Sequence, residues 1–258
     1  MGAARAFVAL VFGGTVLLNL PLLLARTGTL VGPAERFMPL TVVSFFAPAL
    51  AAFALAAREP GGVRALIRPF GRWRVGVAWL AVALLGPGAL LIGAEAFYAL
   101  LTGVRAGPWL TPPTDAAKAL AMLIIPFTEQ VAWRGYLYPR ARRRWSPLAA
   151  SVAVGFTWAI FHAMKHALMG IGMAPALTVV LVVHMTAGTV VYTWLCARAK
   201  GSMLVAVLAN AGAYLNNSSE ALPRVVAPFM LHTAAYVVVA ALLVALDGRV
   251  FRGPRATG

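Results

Sequence analysis

Residues 116–138 read AAKALAMLIIPFTEQVAWRGYLY, an apolar run of bilayer-crossing length that nonetheless carries Glu129, Gln130 and Arg134 in its second half. Ionisable side chains in such a run are costly against hydrocarbon and turn toward a bundle interior or a wet cavity. The stretch therefore predicts a membrane-embedded fold with a polar pocket inside it.

The rest of the chain extends the pattern. Of its 258 residues 61% are hydrophobic, only seven side chains are acidic and twenty-two are basic, and the mean hydropathy is +0.83. A soluble domain of this length needs more charge to cover its surface. Apolar runs and their breaks predict eight spans, about Ala6 to Ala25, Met38 to Ala57, Val75 to Leu101, Ala116 to Tyr138, Pro147 to Leu168, Ala174 to Cys196, Ser202 to Asn216 and Val226 to Leu246. The seventh is short for a full crossing and is expected to be shielded by the other helices. Leu24-Ala25-Arg26-Thr27 offers no small-x-small cleavage site, so the first run is kept as a span rather than a signal peptide. The expectation is an all-α polytopic membrane protein, a bundle of about eight transmembrane helices in one domain over residues 1–258, with its motif-bearing core at about 116–216.

Assigning the basic residues to alternate sides of these spans gives a topology reading of the +15 net charge, with no nucleic-acid partner needed. Fifteen fall on one side, at Arg5, Arg58 to Arg74, Arg140 to Arg144, Arg198 and Lys200, and Arg249 to Arg255. Six fall on the other, Arg26, Arg36, Arg105, Lys118, Lys165 and Arg224. The excess predicts both termini in the cytoplasm. Between spans two and three, residues 61–74 mix arginines with Leu66, Ile67, Phe70 and Trp73, the composition of a segment lying on an anionic leaflet, which makes the lipid bilayer itself a partner. Cys196 is the single cysteine, so neither an intramolecular disulfide nor a cysteine metal cluster can form. The alanine- and arginine-rich composition with few lysines points to a bacterial cytoplasmic (inner) membrane.

Helical spacing sorts the polar residues within the spans. Gln130 and Arg134 are predicted to share a face, with Glu129 beside Trp133 on the neighbouring one. Trp158, His162 and His166 follow at four-residue steps on one stripe, as do Asn210 and Tyr214. From the arginine-rich side, Glu129 lies about 15 Å deep, His162 about 22 Å and Asn210 about 12 Å at the helical rise, close enough to converge. A carboxylate and an imidazole together can activate water, and amide or phenol donors opposite can stabilise an oxyanion. These parts suit hydrolysis of a peptide bond within the membrane. From spacing alone, Glu129 can equally be an acid that neutralises Arg134.

Two of these clusters resemble the CPBP intramembrane proteases, the family of CAAX prenyl endopeptidases, bacteriocin-processing enzymes and Abi proteins. Its first motif, Glu-Glu-x-x-x-Arg with a Trp-Arg-Gly-Tyr-Leu continuation, is similar to Glu129-Gln130-Val131-Ala132-Trp133-Arg134-Gly135-Tyr136-Leu137. Its second, Phe-x-x-x-His with a tryptophan variant, is similar to Trp158-Ala159-Ile160-Phe161-His162. The third motif is divergent. Gly201-Ser202-Met203-Leu204 supplies the family's lead-in, but Asn210 stands at the expected histidine and Tyr214 at the expected asparagine, while Gln130 replaces the first motif's second glutamate.

The resemblance implies an endopeptidase acting near the membrane-embedded or lipid-anchored C-terminal part of a protein or peptide. Glu129 and His162 would be catalytic, Asn210 and Tyr214 would polarise the substrate or hold its oxyanion, and Gln130, Arg134 and Trp158 would support them. His166 and His184 are additional candidates, His184 either as a packing histidine or as a substitute for the missing imidazole. No cofactor or metal ligand set is assigned, and a divalent metal such as zinc is the alternative, since His162 and His166 have the spacing of two imidazoles on one ion. A non-enzymatic alternative is a degenerate relative that captures a hydrophobic peptide as an immunity or sorting partner.

Overall fold

A computed structural model describes residues 2–104, 113–214 and 226–253. Arg105, Arg224 and Arg255 of the charge count, and residues 215–216 ending the predicted seventh span, lie outside them. In chain order the helices are α1 (Gly2–Arg26), α2 (Met38–Phe45), α3 (Ala47–Ala56), α4 (Gly62–Ile67), α5 (Val77–Thr102), α6 (Ala116–Gln130), α7 (Tyr138–Arg142), α8 (Pro147–Leu168), α9 (Pro175–Arg198), α10 (Leu204–Tyr214), α11 (Val226–Leu246) and α12 (Gly248–Phe251). No strand occurs among the described residues, and the architecture is that of a polytopic membrane helical bundle.

Five of these helices, α1, α5, α8, α9 and α11, are long and apolar enough to cross a membrane. The predicted second span is not one rod. It is α2 and α3, bent by 48°, and counts as a sixth crossing only if the pair is taken together. Pro48 sits in the first turn of α3, where it lacks an N–H and its ring opposes the carbonyl four residues back, so the two helices cannot run straight into each other. The seventh span is the short α10, buried on most of its length as expected of a shielded helix.

Capping explains where the motif-bearing helices begin. The Asp115 carboxylate accepts the Lys118 backbone N–H at 2.8 Å at the start of α6, and Ser146 Oγ accepts that of Ala149 at 3.2 Å ahead of Pro147, the first residue of α8. The fourth span does not continue as a plain α-helix. After Gln130 it passes through a π-helical stretch, Val131–Leu137, before resuming as α7.

Small residues set how closely the helices approach. At Gly155 a β-carbon would lie 2.8 Å from the backbone Cα of Thr186, so α8 and α9 meet there nearly backbone to backbone. Gly212 of α10 packs onto the backbone carbonyl of Leu84 in α5 in the same way. Around the π stretch, Phe7 of α1 stacks on Tyr136 at 5.2 Å and meets Trp133 edge-on at 5.7 Å.

The arginine-rich segment is helical through α4 and a 3-10 turn at Arg68–Gly71. Its apolar side is divided. Leu66 and Phe70 are buried, and a β-carbon on Gly135 would lie 3.1 Å from Leu66 Cδ1 and 3.3 Å from Phe70, while Ile67 and Trp73 stay exposed. Ser202 Oγ donates to the Arg72 carbonyl at 2.7 Å and the Met203 N–H to that of Pro69 at 3.1 Å. One segment thus rests on the first motif and on the lead-in to the third. Lys165, counted with the sparsely basic side near the end of the predicted fifth span, is 1% exposed inside α8, its ammonium 4.2 Å from the centre of the Phe45 ring.

Candidate active site

Three helices deliver the predicted residues to one place. Glu129, in the last turn of α6, has its Oε1 3.3 Å from His162 Nε2 of α8, and its Oε2 accepts a hydrogen bond from Asn210 Nδ2 of α10 at 2.8 Å. All three side chains are buried. The convergence drawn from helical depth is therefore met, on a carboxylate held between an imidazole and an amide.

These groups open on a cavity of about 120 Å³ whose lining includes Trp158, Tyr214, His184, Tyr192 and Tyr236. At about 30 Å³ per water in the liquid, that is room for a few waters rather than for a length of peptide. Trp158 packs against the His162 ring at 5.9 Å and against Trp133 at 6.3 Å, so it is a wall that fixes the imidazole. His166 is buried one turn further along α8, its ring 6.2 Å from that of His162, and it is not among the residues lining the cavity. His184 is at the far side, with Nδ1 3.3 Å from Thr233 Oγ1 and its ring against Phe229, His232 and Tyr236.

Arg134 does not join the carboxylate. Its Nη1 donates to Thr193 Oγ1 at 3.2 Å and its Nη2 to the Thr189 carbonyl at 3.1 Å, and its guanidinium stands 5.0 Å from the centre of the Tyr192 ring. Glu129 as a mere counter-ion of Arg134 is thereby overturned. The predicted link between Gln130 and Arg134 is absent too, since the Gln130 amide is fully buried and both its polar atoms lack a partner among the described residues. The π stretch supplies the reason. Its hydrogen bonds run to the fifth residue rather than the fourth, so residues four apart across its start no longer stack on one face.

Tyr192, Tyr236 and the Thr189–Thr193 pair escaped the sequence reading. The threonines are four apart on α9 and follow Gly188, a small, hydroxyl-bearing face of the kind that accepts a buried donor, and that spacing was their only signal. Among the described residues, no three His, Cys, Asp or Glu side chains gather as a metal site. The donors present, one carboxylate and one imidazole with an amide already bonded to the carboxylate, do not match the three protein ligands of a catalytic zinc centre.

Residues 116–215 match the family described as type II CAAX prenyl endopeptidase Rce1-like, a stretch running from the start of α6 through α10. It contains both motifs that resemble the CPBP proteases and the divergent third, so at the family level this region is similar to a CAAX-type intramembrane protease. No curated protein matches the chain.

Proposed function

We propose that the chain is an intramembrane endopeptidase that hydrolyses a peptide bond near the membrane-embedded or lipid-anchored C-terminal part of a protein or peptide. The observation that carries this reading is the buried Glu129 carboxylate, hydrogen-bonded by Asn210 and 3.3 Å from His162 Nε2, beside a water-sized cavity. The arginine-rich faces would lie at the cytoplasmic side of a bacterial inner membrane, with both termini there.

In the proposed reaction, water enters beside Glu129 and His162. As its oxygen bonds to the scissile carbonyl carbon, Glu129 takes the proton and the carbonyl electron pair moves onto oxygen. Asn210 has two N–H donors on Nδ2. One holds Glu129 in place and the other would turn to the oxyanion, which the cavity-lining Tyr214 would also face. Collapse of the tetrahedral intermediate breaks the C–N bond, and the proton returns through Glu129 and His162 to the leaving amine, giving a carboxylic acid and an amine, which pass the second water proton between them to become carboxylate and ammonium.

Two experiments test the reading. Membrane-protein C-termini are compared by proteomics between cells carrying the wild type and cells carrying Glu129→Ala at equal abundance, and termini lost in the variant identify substrates. Glu129→Gln in purified protein is expected to cost on the order of 100- to 10,000-fold in cleavage rate, the range for a general base. Unchanged termini together with full function of Glu129→Gln would favour peptide capture without cutting.

A further inference from the structure

A second cavity lies on the other side of Arg134, away from Glu129. It measures about 250 Å³, and its lining includes Arg134, Tyr138, Pro147, Thr193, Cys196 and Gly201. Ala197 also lines it and is exposed, so the cavity reaches the surface at the end of α9.

Arg134 is 2% exposed. Its two hydrogen bonds go to neutral oxygens, its Nε has no partner, and it forms no ion pair with a carboxylate among the described residues. A buried cation normally has a counter-charge, because removing a charge from water without one is expensive. Four residues before this arginine, where the resembling motif carries a second glutamate, this chain has the neutral Gln130, which does not reach it.

The surroundings of the cavity are positive. Arg72 stands behind the lining residue Gly201, donating from Nη1 to the Lys200 carbonyl at 3.4 Å, and a β-carbon on Gly201 would lie 2.9 Å from that same nitrogen. Pro147, the first residue of the 22-residue α8, and Met203, just before α10, bring two helix N-termini to the wall, against one C-terminal end from α9. No acidic side chain lines the cavity.

We propose that this cavity is an oxyanion-binding site, in which Arg134 at the floor, backed by the charge of Arg72 behind Gly201, holds a phosphate group. The guanidinium fork is suited to such a planar or tetrahedral oxyanion, and at about 30 Å³ per water the volume admits a phosphate with its nearest waters. The group comes either from a soluble phosphate or from a lipid headgroup reaching in at the end of the bundle. This site is independent of proteolysis.

The test is the thermal unfolding of the purified full-length protein in detergent. One arm compares sodium phosphate with sodium chloride at matched ionic strength. The other compares micelles doped with phosphatidic acid with micelles doped with diacylglycerol. Binding to the native state raises the Tm saturably with ligand concentration. A rise in the first arm identifies a soluble anion and a rise in the second alone identifies a headgroup. Either rise is expected to disappear in Arg134→Gln and in Ala197→Trp, which fills the mouth without altering charge and carries the test if Arg134→Gln fails to fold. No rise in either arm, or a rise that persists in Ala197→Trp, overturns the proposal.

Discussion

Glu129 and Arg134, acid and base five residues apart on one membrane segment, take separate partners: the carboxylate meets His162 and Asn210, and the guanidinium meets Thr189 and Thr193. An ion pair between them would have left the imidazole facing an occupied acid. Their separation leaves Glu129 held by a neutral amide, and it makes the two halves of the first motif separable by mutation.

Asn210 and Tyr214 are expected to fail differently. Tyr214→Phe removes an oxyanion donor while leaving the Glu129 cluster intact, and should lower kcat by on the order of 100- to 1000-fold with little change in KM. Asn210→Ala removes both the brace on Glu129 and a donor, so it should cost at least as much. Asn210→His, restoring the family's residue, should retain more activity than Asn210→Ala. A cleavage assay on reconstituted protein reads all three, and equal activity of Tyr214→Phe and wild type would remove Tyr214 from the reaction.

Helix contact at Gly155 leaves no room for a side chain. Gly155→Leu would drive its side chain into the backbone of α9 at Thr186, and a loss of roughly 1–3 kcal/mol or more is expected from overpacking. The measurement is the Tm in detergent, with Gly86→Leu as a control, since a β-carbon there meets nothing within 4 Å.

Asp247, between α11 and α12, gives a pH-dependent contribution that can be worked out in sign. Hydrogen bonds from Arg198 and from the Trp194 indole hold its carboxyl below the ordinary value of 3.8. Its contribution is fully present above that ordinary value, fades as pH falls below it, and is gone below the lowered native value. Asp247→Asn should therefore lower the Tm at neutral pH, and its difference from wild type should shrink on acidification below about pH 3.8. A difference constant across that window would contradict the assignment.

At Gly135 the arginine-rich segment sits against the first motif. Gly135→Val would push on Leu66 and Phe70 and lift the segment, which also holds the lead-in to α10 through Ser202 and Met203. The expected result is faster protease nicking within residues 61–74 together with reduced activity. Nicking at the wild-type rate would show that the contact does not hold the segment down.

Much of this arrangement is legible in sequence where a local rule is strong. Pro147–Leu168 begins and ends where the sequence predicts because Ser146 caps it and Pro147 starts it, and α11 ends as predicted at Leu246, where Asp247 interrupts the apolar run. Glu129, His162 and Asn210 converge where depths of about 12 to 22 Å along their spans bring them within reach of one another. What escapes depends on geometry without a residue signature. The π stretch contains no Pro and no unusual spacing, yet it alone separates Gln130 from Arg134. Arg134's acceptors are a backbone carbonyl and a threonine hydroxyl, neither of which marks a helix as polar. Lys165 reads as a cation at the sparsely basic end of its span until the bend at Phe46 brings the Phe45 ring over it.

Val131–Leu137 also sets a phase boundary. Upstream of it, the helix addresses α8 and α10 with Glu129; within it, the same chain turns Arg134 toward α9. Each residue of an ordinary helix advances by about 100°. If these seven residues relaxed into a plain α-helix, the surplus residue would no longer be absorbed, and everything beyond it would rotate by about that angle relative to Glu129. The π stretch therefore works as a setting of rotational register, and its loss would uncouple the two ends of the motif while every motif side chain was still present.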